Sequence, residues 1–149
     1  MTEYWQDPET TAAAFRDGWL RTGDMGRLDD EGLLYVVDRL KDLVISGGLN
    51  VYPAEVERVA DDFPRVLESA AFGVADARWG EAIALVVRGE GIAIDQLLEH
   101  CRSRLGDYKV PRYIFKIDEE LPRSMSGKIL RRELRDRYRD QATPQNAVR

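Results

Sequence analysis

Two stretches, Leu67 to Val74 and Glu81 to Arg88, are nearly continuous runs of small-apolar and β-branched residues, joined by Ala75-Asp76-Ala77-Arg78-Trp79-Gly80. Runs of this kind predict central antiparallel strands covered on both faces. Around them the apolar period becomes helical. A helix is expected to open at Pro53 and run to about Asp62, and a second over 95–105 carries Leu97, Leu98, Cys101 and Leu105 on one stripe, with Gly106 just past its end. Arg112 to Ile117 reads as a strand. Leu130, Leu134 and Tyr138 recur at four-residue spacing, one face of a last helix whose other faces hold Arg131, Arg132, Arg135 and Arg139.

The N-terminal pattern is different. Residues 4–15 read as a helix with Asp7 as N-cap and Pro8 in the first turn, stopping at Asp17-Gly18. Trp19 to Thr22 is a short strand, and Arg27 to Asp29 is another that reverses at Asp30-Glu31-Gly32 into Leu33 to Val37. These make a small antiparallel sheet with too few apolar residues to bury both faces, so it should lean on other structure. The expected fold class is α+β: a small, mostly antiparallel three-stranded central sheet flanked by helices, preceded by a strand-rich piece. The expected boundaries are 1–40, 41–140 and a disordered tail at 141–149.

Composition narrows the chemistry. The chain has 149 residues, 44% hydrophobic, enough for one domain with appendages. Its net charge of −5 is uneven: residues 1–75 carry 15 acidic and 7 basic side chains, and the remainder 12 and 15. The basic C-terminal helix is laced with acids and lacks interleaved aromatics, which argues against nucleic acid. A single cysteine, Cys101, excludes an internal disulfide or a cysteine zinc cluster, and a single histidine, His100, leaves Ser-His-Asp chemistry without parts. Cys101 is expected in the core and His100 on a helix surface. No apolar segment approaches transmembrane length and no signal pattern opens the chain, so the expected location is cytoplasmic, with any membrane contact peripheral.

Three stretches carry candidate chemistry. In Leu121-Pro122-Arg123-Ser124-Met125-Ser126-Gly127-Lys128-Ile129-Leu130, Pro122 and the small polar run predict an exposed, mobile loop, with Lys128 where it meets a helix start. An anionic ligand there would be stabilised by the helix dipole, whereas a solvated lysine on a basic helix is the plain alternative. The stretch is not a phosphate-binding P-loop, since no glycine precedes Gly127 by five residues and Ile129 replaces Ser or Thr. Gly18 to Gly26 presents Asp24, a carboxylate able to accept two hydroxyl hydrogen bonds or to cap a turn. Asp38 to Glu57 reads as a charged joint, a strand, the Gly47-Gly48 turn and a helix.

Together, and in this order, the three stretches resemble the acyl-adenylate-forming enzymes, the superfamily of acyl-CoA synthetases, firefly luciferase and peptide-synthetase adenylation domains. The resemblance runs from about Tyr4 to Tyr138 and implies a role for each position. Lys128 would contact the substrate carboxylate and a nucleotide phosphate. Asp24 would chelate the ribose hydroxyls of ATP, with Arg39 near ribose and phosphate. Lys41 would be the hinge between two half-reactions, and Gly47 and Gly48 would line the passage for the pantetheine arm of CoA. The Ser46-Gly47-Gly48-Leu49-Asn50-Val51-Tyr52-Pro53 form is similar to acyl-CoA ligases, which activate a carboxylic, here expectedly fatty, acid. Asn50 stands where some acetate-type synthetases have arginine, so no phosphate contact is carried over to it. Trp79-Gly80-Glu81 and Tyr108-Lys109-Val110-Pro111 also occur in the family and read as structural.

The resemblance covers only the end of such an enzyme, and Met1 to Trp5 look like an internal point of a longer frame. ATP, AMP, CoA and Mg²⁺ would be handled mainly by a large N-terminal domain that these residues do not include, and residues 1–40 would be its distal remnant. Alone, the chain is expected to be inactive and to pair with a separate N-terminal domain or with itself. A non-enzymatic binding or regulatory module, or an inert truncation product, are the alternatives.

Overall fold

In a computed structural model describing residues 1–148, the chain divides into two units, residues 1–41 and residues 42 onward. In the first, helix α1 (Pro8–Ala14) starts where Asp7 accepts a 2.9 Å hydrogen bond from the Thr10 amide, with Pro8 inside the first turn. The helix is shorter than its sequence suggests. Phe15–Arg16 (β1) leaves it extended and pairs with Trp19–Leu20 (β2) across a turn in which Asp17 and Gly18 both have positive φ. Asp24–Leu28 (β3) and Leu34–Arg39 (β4) form a second hairpin, closed by Asp29, whose carboxylate accepts from the amides of Glu31 and Leu33. The expected single sheet is therefore two separate hairpins. Leu28, Leu34 and Val36 are each more than 60% exposed, as the shortage of apolar residues foretold.

The second unit is built on one five-stranded sheet. Val44–Ser46 (β5) pairs antiparallel with Leu49–Val51 (β6), and helix α2 (Pro53–Asp61) follows. Val66–Asp76 (β7) and Gly80–Gly89 (β8) make the long central hairpin. After helix α3 (Ile94–Arg102), Tyr113–Ile117 (β9) joins β8 in parallel over Ala84–Arg88. The start of β8 also meets β5, through Ser46 and Gly80. Of the three strands legible as apolar runs, β8 is central, with β7 along one side and β9 and β5 along the other, and β6 extends the sheet beyond β5. Helix α4 (Arg131–Tyr138) follows β9 in the chain.

The two central runs lack alternation because both faces of the sheet are covered. Ala71, Ile83, Leu85 and Val87 face a core completed by Val56, Val59 and Ala60 of α2 and by Leu97, Leu98 and Cys101 of α3. Ala70, Phe72, Val74, Ala82, Ala84 and Val86 face the other, completed by Leu121, Leu134 and Tyr138. Burial in the first core pushes the Cys101 thiol up to about 11, as expected of a packed, inert cysteine.

Two expectations are corrected. His100 is not a free surface residue: its Nε2 lies 2.9 Å from the Val59 carbonyl and its ring meets Phe63 edge-on at 5.3 Å, because α3 packs beside α2. The tail is not loose over its described part. The Val148 amide donates to the Arg112 carbonyl at 2.9 Å, and Ala142 and Ala147 pack against the second core, so backbone pairing and apolar contact order it.

Candidate functional site

Lys128 stands on a hydrogen-bonded hairpin rather than a mobile loop. Arg123 and Ile129 form an antiparallel bridge, the Ser124 amide donates to the Lys128 carbonyl at 2.8 Å, and the Leu130 amide donates to the Pro122 carbonyl at 2.8 Å. The turn closes through Gly127, whose φ of +80° is costly for other residues and whose amide donates to the Ser124 carbonyl. The Ser124 hydroxyl accepts from the Lys128 amide at 3.2 Å. Helix α4 begins only at Arg131, three residues beyond Lys128. The Lys128 side chain is exposed, and among the described residues no carboxylate pairs with its ammonium.

Both legs of this hairpin are anchored by carboxylates. On the first leg, Arg123 pairs through Nη2 with Glu68 of β7 and donates through Nη1 to the Gly127 carbonyl at 2.9 Å. Glu68 also accepts from the Leu121 amide at 3.2 Å and from Arg88 at 3.3 Å. Burial works to raise its carboxyl, but the Leu121 amide and the Arg123 and Arg88 guanidinium groups outweigh that and hold it below the ordinary glutamate value. Just past the second leg, Arg131 makes two hydrogen bonds to Glu57 of α2, at 2.9 and 2.6 Å, and lies 4.0 Å from Asp42. Glu57 accepts from the Ala71 amide as well, at 2.8 Å. Sequence reading missed Glu57, Glu68 and Arg123. The available signal was a glutamate inside an otherwise apolar strand run, which needs a cationic or amide partner to be buried.

In the first unit, Asp24 and Arg39 are register partners at the open end of the β3·β4 hairpin, with Arg39 Nε 3.6 Å from Asp24 Oδ1. Both side chains are at least a third exposed, so the pair presents acceptors and donors together to solvent. A carboxylate beside a guanidinium suits a polyol that also carries phosphate. Lys41 is the last residue of this unit, and the division falls between it and Asp42.

Gly47 and Gly48 turn β5 into β6 with φ of +59° and +82°. The two differ in surroundings. A Cβ on Gly47 would meet the Trp79 ring at 2.7 Å, whereas one on Gly48 would meet nothing within 4 Å. The weaker motifs are structural: Lys109 pairs with both oxygens of Glu55 at 2.7 Å, which raises its ammonium above the ordinary lysine value, and Glu81 accepts from the Ile45 amide at 2.9 Å. Among the described residues no group of three or more His, Cys, Asp or Glu side chains is arranged to hold a metal ion. No described helix is long and apolar enough to cross a membrane.

Residues 55–128 match the family described as the AMP-binding enzyme C-terminal domain. The chain is 49% identical over 140 residues to the long-chain-fatty-acid–CoA ligase FadD13 of Mycobacterium tuberculosis, covering 93% of this chain and 28% of that protein. It is 52% identical over 135 residues to the 2-succinylbenzoate–CoA ligase of Geobacillus kaustophilus, covering 89% of this chain and 27% of that protein. Among solved structures, the O-succinylbenzoate coenzyme A synthetase of Bacillus subtilis, in complex with ATP and magnesium ion, superposes with a TM-score of 0.84 at 42% identity. That match covers 91% of this chain and 28% of the other. The chain belongs to the C-terminal domain family of AMP-binding enzymes, and the relatives it matches are acyl-CoA ligases. It spans about 28% of the length of the relatives it matches.

Proposed function

We propose that this chain acts as the C-terminal part of an ATP-dependent, AMP-forming acid–CoA ligase and supplies Lys128 to the adenylation step. The observation that carries the proposal is an exposed ammonium with no carboxylate partner among the described residues, fixed on an anchored hairpin, in a chain of this family. In the first half-reaction a carboxylate oxygen attacks the α-phosphorus of ATP, forming acyl-AMP and releasing pyrophosphate. A preorganised cation meets the charge that develops there. In the second, the CoA thiol attacks the acyl carbon and AMP leaves.

Within this reading Asp24 holds the ribose hydroxyls and Arg39 lies near ribose and phosphate, a role their shared hairpin end favours. Lys41 is the hinge, supported by the unit division directly after it. Gly47 and Gly48 line the CoA passage, Gly48 having open space where a side chain would stand. Mg²⁺ would neutralise the departing pyrophosphate. The described residues offer it no cluster of ligands, so its cradle is assigned, with the acid pocket, to a separate N-terminal domain. The acid is a carboxylic acid; a fatty acid is the finer proposal, resting on similarity to the long-chain ligase. The proposed location is the cytoplasm.

The test is carboxylate-dependent ATP–pyrophosphate exchange by the chain with and without a separately produced N-terminal domain. Activity only in the mixture supports the proposal, and appreciable exchange by the chain alone refutes the division of labour. One observation favours a second reading, a binding module: the exposed Leu28, Leu34 and Val36 on the β3·β4 hairpin form an apolar surface suited to a partner domain or a second copy. Light scattering that shows a monomer at high concentration, together with no complementation, would discard both uses of that surface.

A further inference from the structure

We infer that Glu68 is a positioning residue for Lys128, acting through Arg123. Glu68 lies on β7, the strand that ends the five-stranded sheet beside β8, next to a register shift between Val66 and Glu68. Its side chain is only 13% exposed, and its Oε1 is already held by the Leu121 amide and Arg88. Its Oε2 pairs with Arg123 Nη2, and the second arm of the same guanidinium, Nη1, donates to the Gly127 carbonyl. That carbonyl belongs to the peptide bond that carries the Lys128 amide. The contacts therefore run without a gap from the buried sheet through one planar guanidinium to the residue that aims the lysine.

The geometry of the guanidinium matters here. Its two arms diverge within one plane, so gripping Glu68 fixes the direction in which the other arm meets Gly127. An ammonium at this position could keep the ion pair but would not span both partners in a fixed fork. A long, flexible lysine side chain reaches a phosphate reproducibly only if its backbone origin is held, and small displacements at a reacting centre are costly. Without the Arg123 clamp, the first leg and the Gly127 turn would be held mainly by backbone hydrogen bonds, the second leg keeping its Arg131–Glu57 anchor, and the turn would open locally more often.

The inference rests on the reading of Lys128 as the adenylation lysine, and its test separates the two. Amide hydrogen exchange is measured on the purified chain at Ser124, Gly127 and Lys128, with Ala84 and Leu85 of β8 as internal reference, for the unaltered protein, Glu68→Gln and Arg123→Lys. Both variants are expected to speed exchange at the hairpin about tenfold and leave β8 unchanged. Unchanged hairpin exchange in Arg123→Lys overturns the inference, and this half-exposed site decides the matter if Glu68→Gln loosens the whole sheet.

A second readout comes from the chain complemented with an N-terminal domain. Both variants are expected to lower kcat for adenylation with KM for ATP nearly unchanged. A rise in KM alone overturns the positioning role. If even the unaltered chain fails to complement, the proposed function fails, and hydrogen exchange still decides whether Glu68 sets the hairpin.

Discussion

Arg131 grips Glu57 with two nitrogens, at 2.9 and 2.6 Å, and so ties the start of α4 to the middle of α2 across β7. Glu57 in turn accepts from the Ala71 amide of that strand. The carboxylate is 13% exposed and the guanidinium 24%, so removing either partner strands a charge in a poorly hydrated place. Arg131→Ala is expected to destabilise the second unit by about 2–4 kcal/mol, a little below the loss seen on breaking fully buried pairs. The urea midpoint should fall without a change in slope, which equilibrium unfolding followed by circular dichroism checks.

Gly47 and Gly48 should respond unequally to alanine. Both have positive φ, which costs a side-chain-bearing residue about 1–2 kcal/mol. At Gly47 the new methyl also drives into the Trp79 ring, so Gly47→Ala should lose more stability than Gly48→Ala and should alter the indole environment. Thermal unfolding together with tryptophan fluorescence distinguishes the two variants. If Gly48 lines the CoA passage, Gly48→Ala in a complemented enzyme raises KM for CoA while the fold stays intact.

Acidification should reveal Glu68. Its folded-state value lies below that of an unfolded glutamate, near 4.5, so its contribution is fully present above that pH and is lost as pH falls through the folded value. The unaltered protein should exceed Glu68→Gln in stability by about 1–2 kcal/mol at pH 7, after allowance for the half-exposed Arg123. The difference should shrink below pH 4.5. Thermal unfolding of both proteins at pH 7 and pH 3.5 measures it. A gap that stays constant on acidification would show that the Glu68 charge is not what stabilises the hairpin.

Lys128 and Lys41 should separate the two half-reactions in a complemented enzyme. Lys128→Ala is expected to slow adenylation roughly 100- to 1000-fold, the usual loss for one preorganised partner of a developing charge. Presynthesised acyl-adenylate bypasses that step, and CoA consumption should then run near the unaltered rate. Lys41→Pro is expected to do the reverse, because fixing φ at the joint hinders rotation and leaves the adenylating arrangement available. Equal loss of both half-reactions in both variants would favour a purely structural account of these lysines.

Local rules were enough to read the central hairpin, the α2 and α3 helices, the Asp7 cap and the Asp30 to Gly32 reversal. Continuous β-branched runs, a stripe at helical spacing, and Asp, Pro and Gly at particular positions act within a few residues. The candidate site residues Asp24, Arg39, Lys41, Gly47, Gly48 and Lys128 were proposed for another reason, their resemblance to a family pattern in which spacing carries identity. The short strands β1 and β6 were not legible, since two or three residues give no period and are decided by what they pair with. Nor could sequence show that His100 meets Val59, that the tail docks through Val148, or that Glu57 and Glu68 anchor the Lys128 hairpin. Those partners lie 36 to 74 positions apart, and a carboxylate chooses its cation only once the sheet has brought the two together. The sequence by itself singled out Lys128 through a family pattern; the tertiary structure decided how firmly its hairpin is held, because the anchoring carboxylates reach it only across the folded sheet.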